Sequence, residues 1–359
     1  MRDHGQRWGV VGTGDALRLH AGRRNAAAPS SAVASPAGAS FRGLGTIAGW
    51  SQSQAWGVSG DGKVVVGQLS RLGSDTRAFR WTASAGMQDL GTLGGLNSEA
   101  YAASGDGAAI VGRTTSTSGN YRPFRWTSAG GMQELPSSTP EFLSGDATDV
   151  SADGNFVVGL FGFAERWTVS GGLEDLGSFS SRGISSDGQV VVGNNNGNTD
   201  NRHAIRWTRA GGLQDLGTVG GTESFADDAS ANGSAVVGQS RDRNGFWKAI
   251  RWTAATGMPD IGTLGGPMAA AYNVSDDGSV VVGRALTNSS SASDRAFRWT
   301  TKKGMQNLQQ LLQNAGVTSV SGWILLDATG VSADGTVIVG EGINPAKQRE
   351  AFRAVLPLP

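Results

Sequence analysis

Apolar residues in this chain come in short β-branched runs, and each run follows the same polar phrase. Ser59-Gly60-Asp61-Gly62 precedes Val64-Val65-Val66-Gly67, and the phrase returns at Ser104, Ser151, Ser185, Ser230, Ser275 and Ser332, seven times in all. Asp-Gly or Asn-Gly supplies the positive φ angles of a tight turn, and Val and Ile suit the strand that follows. A second polar–apolar phrase, Arg-Trp-Thr, ends another strand at Arg80, Arg125, Arg166, Arg206, Arg251 and Arg298. A third, Gly-Met-Gln-Asp-Leu-Gly or a variant, follows it at Gly86, Gly131, Gly172, Gly212, Gly257 and Gly304. A stretch of small residues leads into each SxDG. The cycle therefore predicts four short antiparallel strands, a to d, in about 45 residues, the size of a propeller blade.

The ends of the pattern are complementary. The last unit stops on strand c at Phe352-Arg353, and an unpaired d-like piece stands at Gly43 to Ile47. One N-terminal strand can complete the last blade and remove the sheet edge that an open array would leave. The predicted fold is all-β: one seven-bladed propeller over 41–359, its ring closed by the N-terminal strand. Residues 1–40 form an Ala/Ser/Pro/Gly-rich segment with the composition of a flexible linker. They hold no apolar h-region, so either a signal-peptide route is not used or translation begins elsewhere. Within the longest insertion, Gln306 to Ala315 reads as a short amphipathic helix with Leu308, Leu311 and Leu312 on one face, and Trp323 as packing beneath it.

Composition narrows the function. The 359 residues carry 30 Lys+Arg and 30 Asp+Glu, which gives no global electrostatic case for nucleic acid or an anionic membrane. There is no Cys, which excludes disulfides and Cys-based metal or redox centres. No apolar run reaches spanning length. The 56 glycines fit many turns between many short strands.

The cycle AFRWT–GGMQDLGTLGG–SxA–VSxDGxVVVG resembles the HAF-repeat proteins of bacteria, over roughly Phe41 to Phe352. Phe79 to Gly95 and Phe124 to Leu135 are the nearest stretches, and Ala-Phe survives at Ala78-Phe79, Ala296-Phe297 and Ala351-Phe352. The leading His of that name is Arg or Glu here, and Glu165 replaces the aromatic before Arg166. The resemblance implies an exported binding or surface protein and supplies no assigned activity.

Three sets of residues carry candidate chemistry. Each SxDG offers one carboxylate, too few for a calcium loop, and one copy has Asn232 instead; a turn bonded to its own backbone is the favoured reading. If Thr82 and Met87 close the c–d hairpin, Arg80 faces Asp89. The same count pairs Arg125 with Glu134, Arg166 with Asp175, Arg206 with Asp215 and Arg251 with Asp260, as cross-strand stabilisers. The Arg-Trp tryptophans read as packing between blades. No HExxH, GxSxG or phosphate loop occurs, so no catalytic residue, metal or cofactor is assigned.

Loop length points to function. The a–b and c–d turns have fixed length, whereas the b–c and d–a connections vary, and in an antiparallel blade those two share one face. Arg and aromatic residues there are the usual interface anchors: Trp50, Tyr121, Arg122, Phe142, Arg241, Arg243, Phe246 and Trp247. The expected function is a non-enzymatic, extracytoplasmic scaffold, monomeric, that recognises a protein or glycan through this face. The alternative is a propeller lyase or hydrolase at the mouth of the axial channel, which would show as a carboxylate or His cluster with shifted pKa values on the tops of the a strands.

Overall fold

The computed structural model describes residues 38–358, apart from 72–74, 137–143, 161–163, 197–200 and 291–292. Seven antiparallel sheets follow one another along the chain, six of four strands in the order a-b-c-d and one of three in the order a-b-c. They form a seven-bladed propeller. In the last blade strand d is Ser40–Gly43, which pairs antiparallel with strand c, Arg349–Val355, in the register Ser40↔Val355 to Gly43↔Phe352. Ring closure by the N-terminal strand thus follows the predicted scheme, with the strand beginning at Ser40. The three-stranded sheet has a physical cause. Pro259 stands in its d segment and has no N–H to donate, so only isolated bridges form beside it, Ile250↔Asp260 and Thr253↔Gly257.

Apolar burial lies between blades. Trp81 packs with Val337, Val339 and Ala351 of the preceding blade. Trp207 joins Val158 and Ala164, and Trp252 joins Val190, Val192 and Ala204, in the same way. The insertion between the last two blades forms a helix, Leu308–Asn314, capped by Asn307, whose side chain accepts from Gln310 N. Leu308 and Leu312 are fully buried beneath it. They share a core with Val320, Trp323 and Phe352 and with Phe41 of the closing strand. The Phe41 and Trp323 rings meet edge to face at 5.1 Å.

Each SxDG is a turn bonded to itself. Ser59 Oγ donates to Asp61 Oδ1 at 2.6 Å and accepts from Val64 N, while Asp61 Oδ1 accepts from Lys63 N. Gly62 supplies the positive φ of 70°. Ser59 and its six counterparts are buried. A residue one or two places after each Ser also donates its N–H to the next blade. The series runs Asp61 N to Gly105 O, Gly105 N to Ala152 O, Ala152 N to Ser186 O, Asp187 N to Ala231 O, Ala231 N to Asp276 O, Asp276 N to Ala333 O, and Ala333 N to Gly60 O. These 2.8–3.0 Å bonds form a closed circle around the axis.

The Arg–carboxylate pairs are a correction. Thr82 pairs with Gly86, not Met87, because Gly86 takes φ of 70° and ends a three-residue loop one position earlier. Arg80 therefore faces Gln88, and Asp89 faces Phe79. Likewise Arg125 faces Gln133 rather than Glu134, and Arg206 faces Gln214 rather than Asp215. Arg251 N donates to Pro259 O, while Asp260 bridges Ile250. In the third blade Arg166 does pair with a carboxylate, but it is Glu174 at 2.6 Å, not Asp175.

The arginines act between blades instead. Arg125, Arg166, Arg206, Arg251 and Arg353 each donate to a carbonyl in the next SxDG turn: Gly154, Gly188, Gly233, Gly278 and Gly62. Arg298 reaches Pro357 O in the C-terminal tail. The displaced acids find other partners, Asp89 with Arg77 at 3.7 Å, Glu134 with Arg122 at 3.6 Å and Asp215 with the His203 ring at 2.8 Å. Asp89, Asp175, Asp215 and Asp260 also cap the glycine N–H two residues on.

Candidate functional site: the channel mouth

Each innermost strand carries a β-bulge three residues before its SxDG serine, where the register with strand b slips by one. The extra residues are Trp56, Tyr101, Thr148, Arg182, Asp227, Tyr272 and Thr329, and all seven line one axial cavity. The bulge explains the glycine that ends every VVVG run. A Cβ on Gly67 would overlap the carbonyl oxygen of Gln54, and Gly112, Gly159, Gly193, Gly238, Gly283 and Gly340 meet the equivalent carbonyl. Glycine lets the bulged strand approach, and the bulge aims one chosen side chain per blade at the axis.

At the variable-loop end the channel opens into a pocket of about 330 Å³, lined by Gln54, Trp56, Asp227, Tyr272, Arg284, Asp327, Thr329 and Glu341. Trp56 is 37 % exposed, the largest apolar surface in the lining. Around it the polar groups are held in place. Gln54 Nε2 donates to Glu341 Oε2 at 2.6 Å, and Arg349 Nη1 donates to Glu341 Oε1 at 2.7 Å. Arg284 lies 3.9 Å from Asp327 and stacks over Tyr272. Arg182 donates to Asp227 Oδ1 at 2.7 Å, while Asp227 Oδ2 is buried with no partner.

Burial sets the protonation of these acids. It pushes the Asp327 carboxyl up to about 6, against the pull of Arg284 and with the help of Glu341 and Asp294. It raises Asp227 too, despite Arg182. Deeper in, Asp149 is pushed up to about 7 by burial, although its oxygens accept from Ile184 N and Val150 N. Asp228 is raised by burial and then by the charge of Asp149. Asp228 Oδ2 accepts from Val274 N and from Asn273 Nδ2, and Asn273 Oδ1 in turn accepts from Val331 N. These side chains tie neighbouring inner strands together below the mouth. Among the described residues no group of three or more His, Asp or Glu is arranged to hold a metal ion.

The residues proposed as interface anchors prove unequal. Arg241 and Trp247 are not in a free loop: they pair as the last residue of strand b and the first of strand c. Arg241 lies over the Trp247 ring at 4.5 Å and bonds Glu223 at 2.7 Å. Glu223 also holds Arg202, and Trp247 leans on Phe225. The run of paired cations and rings satisfies itself. Tyr121 lies under Arg113 at 4.3 Å, Arg122 pairs with Glu134, and Trp50 packs on a core cluster beneath Arg71 and Arg77. Phe142 lies outside the described residues. Phe246, 41 % exposed, and Arg243 do present themselves to solvent.

The mouth residues were not among the interface anchors expected from the sequence. Two signals were present: an in-strand glycine repeated at one position, which marks a bulge, and a position three before each SxDG serine whose residue type changes from blade to blade.

No helix of the described residues is long and apolar enough to cross a membrane, which leaves β-barrels unaddressed. No family model matches the sequence, and no curated protein matches it. The fold does have solved counterparts. The β-propeller domain of the Trilobed protease from Pyrococcus furiosus aligns over 85 % of this chain and 95 % of its own, at 10 % identity and a TM-score of 0.55. A prolyl endopeptidase aligns over 86 % of this chain and 51 % of its own, at 11 % identity and a TM-score of 0.54. TolB from Acinetobacter baumannii aligns over 81 % and 80 %, at 14 % identity and a TM-score of 0.46. At these identities what the chain shares with the two peptidase propellers is the β-propeller fold.

Proposed function

We propose that this protein is a binding scaffold that captures its ligand on the face of variable connections, around the channel mouth. One observation carries the reading. The mouth is a preformed pocket with a partly exposed indole, and the same face exposes Phe246 and Met268 in its connections and Leu96 near the start of the strand Gly94–Ala103. A concave pocket with fixed polar groups, on a face that also exposes large apolar residues, has the surface features of recognition. The rigid ring below holds that face in shape, so little ordering is lost on binding. The resemblance to exported repeat proteins supports an extracytoplasmic setting, with a glycan or protein as ligand.

The test is capture from a glycan array and a displayed peptide library. Replacing Leu96, Phe246 and Met268 together with Ser should reduce capture at least tenfold, whereas Ser84→Ala and Ser128→Ala on the opposite face should leave it intact. The reverse result would move the functional face.

A second reading has its own support. Asp327, raised to about 6 beside Glu341, is a carboxyl poised near neutrality at the mouth, as a general acid in a lyase or hydrolase would be. Turnover of an array ligand, lost in Asp327→Asn with binding retained, would favour it.

A further inference from the structure

The chemistry of the mouth says more about the ligand than its location does. Three acids line it, and each has its own guanidinium: Asp227 with Arg182, Asp327 with Arg284, and Glu341 with Arg349. An ionic ligand would bring in a charge with no free counter-charge and would have to break one of these pairs. An uncharged molecule rich in hydroxyls needs neither. It can donate to Asp327 and Glu341 and accept from Arg284 and Gln54 Nε2 while every pair stays intact. The pairing already in place keeps these flat, two-pronged groups at fixed angles, so their bonds to a ligand cost little side-chain freedom.

The wall is equally selective. Trp56 stands on the bulge with its ring partly in water, and Tyr272 lines the same pocket beneath Arg284. A half-exposed indole gains by covering its face with something flat and apolar on one side that still bonds through its edge. A sugar ring has both properties, C–H groups on a face and hydroxyls around the rim. The pocket volume, about 330 Å³, is at the small end of the ~300–1,000 Å³ range of small-molecule sites. It suits one or two rings rather than a length of peptide.

We infer that the channel mouth is a subsite for one uncharged saccharide unit, with Trp56 as the stacking platform and Gln54, Arg284, Asp327 and Glu341 as hydrogen-bonding partners. The inference rests on the variable face being the binding face, and names the ligand class at its centre. The unit can be free or can terminate a larger glycan.

The experiment titrates the full chain with neutral sugars (glucose, galactose, mannose, N-acetylglucosamine, maltose and cellobiose), following tryptophan fluorescence and calorimetry. Glucuronate and glucosamine serve as charged counterparts, and a glycan array presents the same units as chain ends. At least one neutral sugar should bind saturably. Its affinity should fall at least tenfold in Trp56→Ala and in Asp327→Asn and mostly survive in Trp56→Phe, with thermal unfolding of each variant confirming the fold. Charged counterparts should bind at least tenfold more weakly. Binding of the free sugar identifies a small-molecule site; binding only of the array-presented unit identifies a glycan end; each supports the subsite. Tighter binding of a charged sugar, or sugar binding indifferent to Trp56→Ala, overturns it. If no sugar binds in either form while displayed peptides are captured and lost with Leu96, Phe246 and Met268, the saccharide assignment fails and the binding-face reading stands. If neither class is captured, both fail.

Discussion

Arg353 donates two hydrogen bonds, at 2.9 and 3.1 Å, to the carbonyl oxygen of Gly62, 291 positions earlier in the sequence. The last blade thereby grips the first SxDG turn, as Arg125, Arg166, Arg206 and Arg251 grip the turns of their neighbours. A buried carbonyl bonded to a charged donor is worth about 1.5–3 kcal/mol. Arg353→Ala should therefore lower the urea-unfolding free energy by roughly 2 kcal/mol. A loss below ~0.5 kcal/mol would mean the strut adds nothing to ring closure.

The corrected register separates two double-mutant cycles. Arg80 and Asp89 face different residues, so Arg80→Ala and Asp89→Ala should add to within ~0.5 kcal/mol. Arg77 and Asp89, 3.7 Å apart and partly exposed, should couple by about 0.2–1 kcal/mol. Coupling in the first cycle alone would restore the pairing expected from sequence.

Truncation tests the closing strand. Removing residues 1–38 leaves Ser40–Gly43 in place, and the melting temperature should hold. Removing residues through Ala48 takes that strand away, bares the edge of Arg349–Val355 and uncovers Trp323 and Phe352. The shorter protein should aggregate or melt at least ~5 °C lower, the scale of a loss of a few kcal/mol in a protein of this size.

The channel acids give stability a pH dependence. The folded Asp149 carboxyl sits at about 7, above its ordinary range near 4, so the folded state keeps a proton that the unfolded chain has released. That stabilisation is complete below pH ~4 and is lost as pH rises toward 7, with a slope of at most about 1.4 kcal/mol per pH unit. Asp149→Asn, whose Oδ1 can still accept from Ile184 N as Asn273 does from Val331 N, should reduce the fall of the urea midpoint between pH 4 and 7, leaving the share carried by Asp227, Asp228 and Asp327. An unchanged slope would show that Asp149 does not carry it.

Gly112→Ala should be among the most harmful small substitutions. Its Cβ would overlap the carbonyl oxygen of Glu99. Relief requires the bulge at Tyr101 to open, and overpacking of this kind costs about 1–3 kcal/mol or more. Gly119→Ala, with open space around the added carbon but a φ of 81°, should cost only the ~1–2 kcal/mol of a left-handed backbone. Equal losses would refute the crowding account.

Much of the architecture was written in repeated phrases. SxDG announced the turns, VVVG and Arg-Trp-Thr the strands, and the mismatched ends the closure, because local turn chemistry and β-branched runs act within a few residues. The register of c against d was misjudged because it depends on which residue takes a positive φ, and Gly86 does so one place before the apparent start. Arg241 and Trp247 looked exposed beside Asn244-Gly245, but the strands run further than the turn signal suggests. Glu223 and Phe225, which hold them, come from a different connection. The mouth was hidden for a similar reason. Trp56, Tyr272, Asp327 and Glu341 are brought together by the circular order of blades, which no local pattern displays.

The circle of backbone bonds at the SxDG turns also frames the far end of the channel. Seven residues spaced about 4.8 Å apart trace a ring roughly 11 Å across between backbone centres. Ser186 Oγ reaches over it from blade 4 to Asp276 Oδ1 in blade 6 at 2.6 Å. Above this floor Asp149, Asp228 and Asn273 narrow the bore further. The two ends of the channel therefore differ in kind: the mouth at Trp56 offers an indole and ion pairs, whereas the end at the SxDG turns offers backbone and a serine–aspartate hydrogen bond.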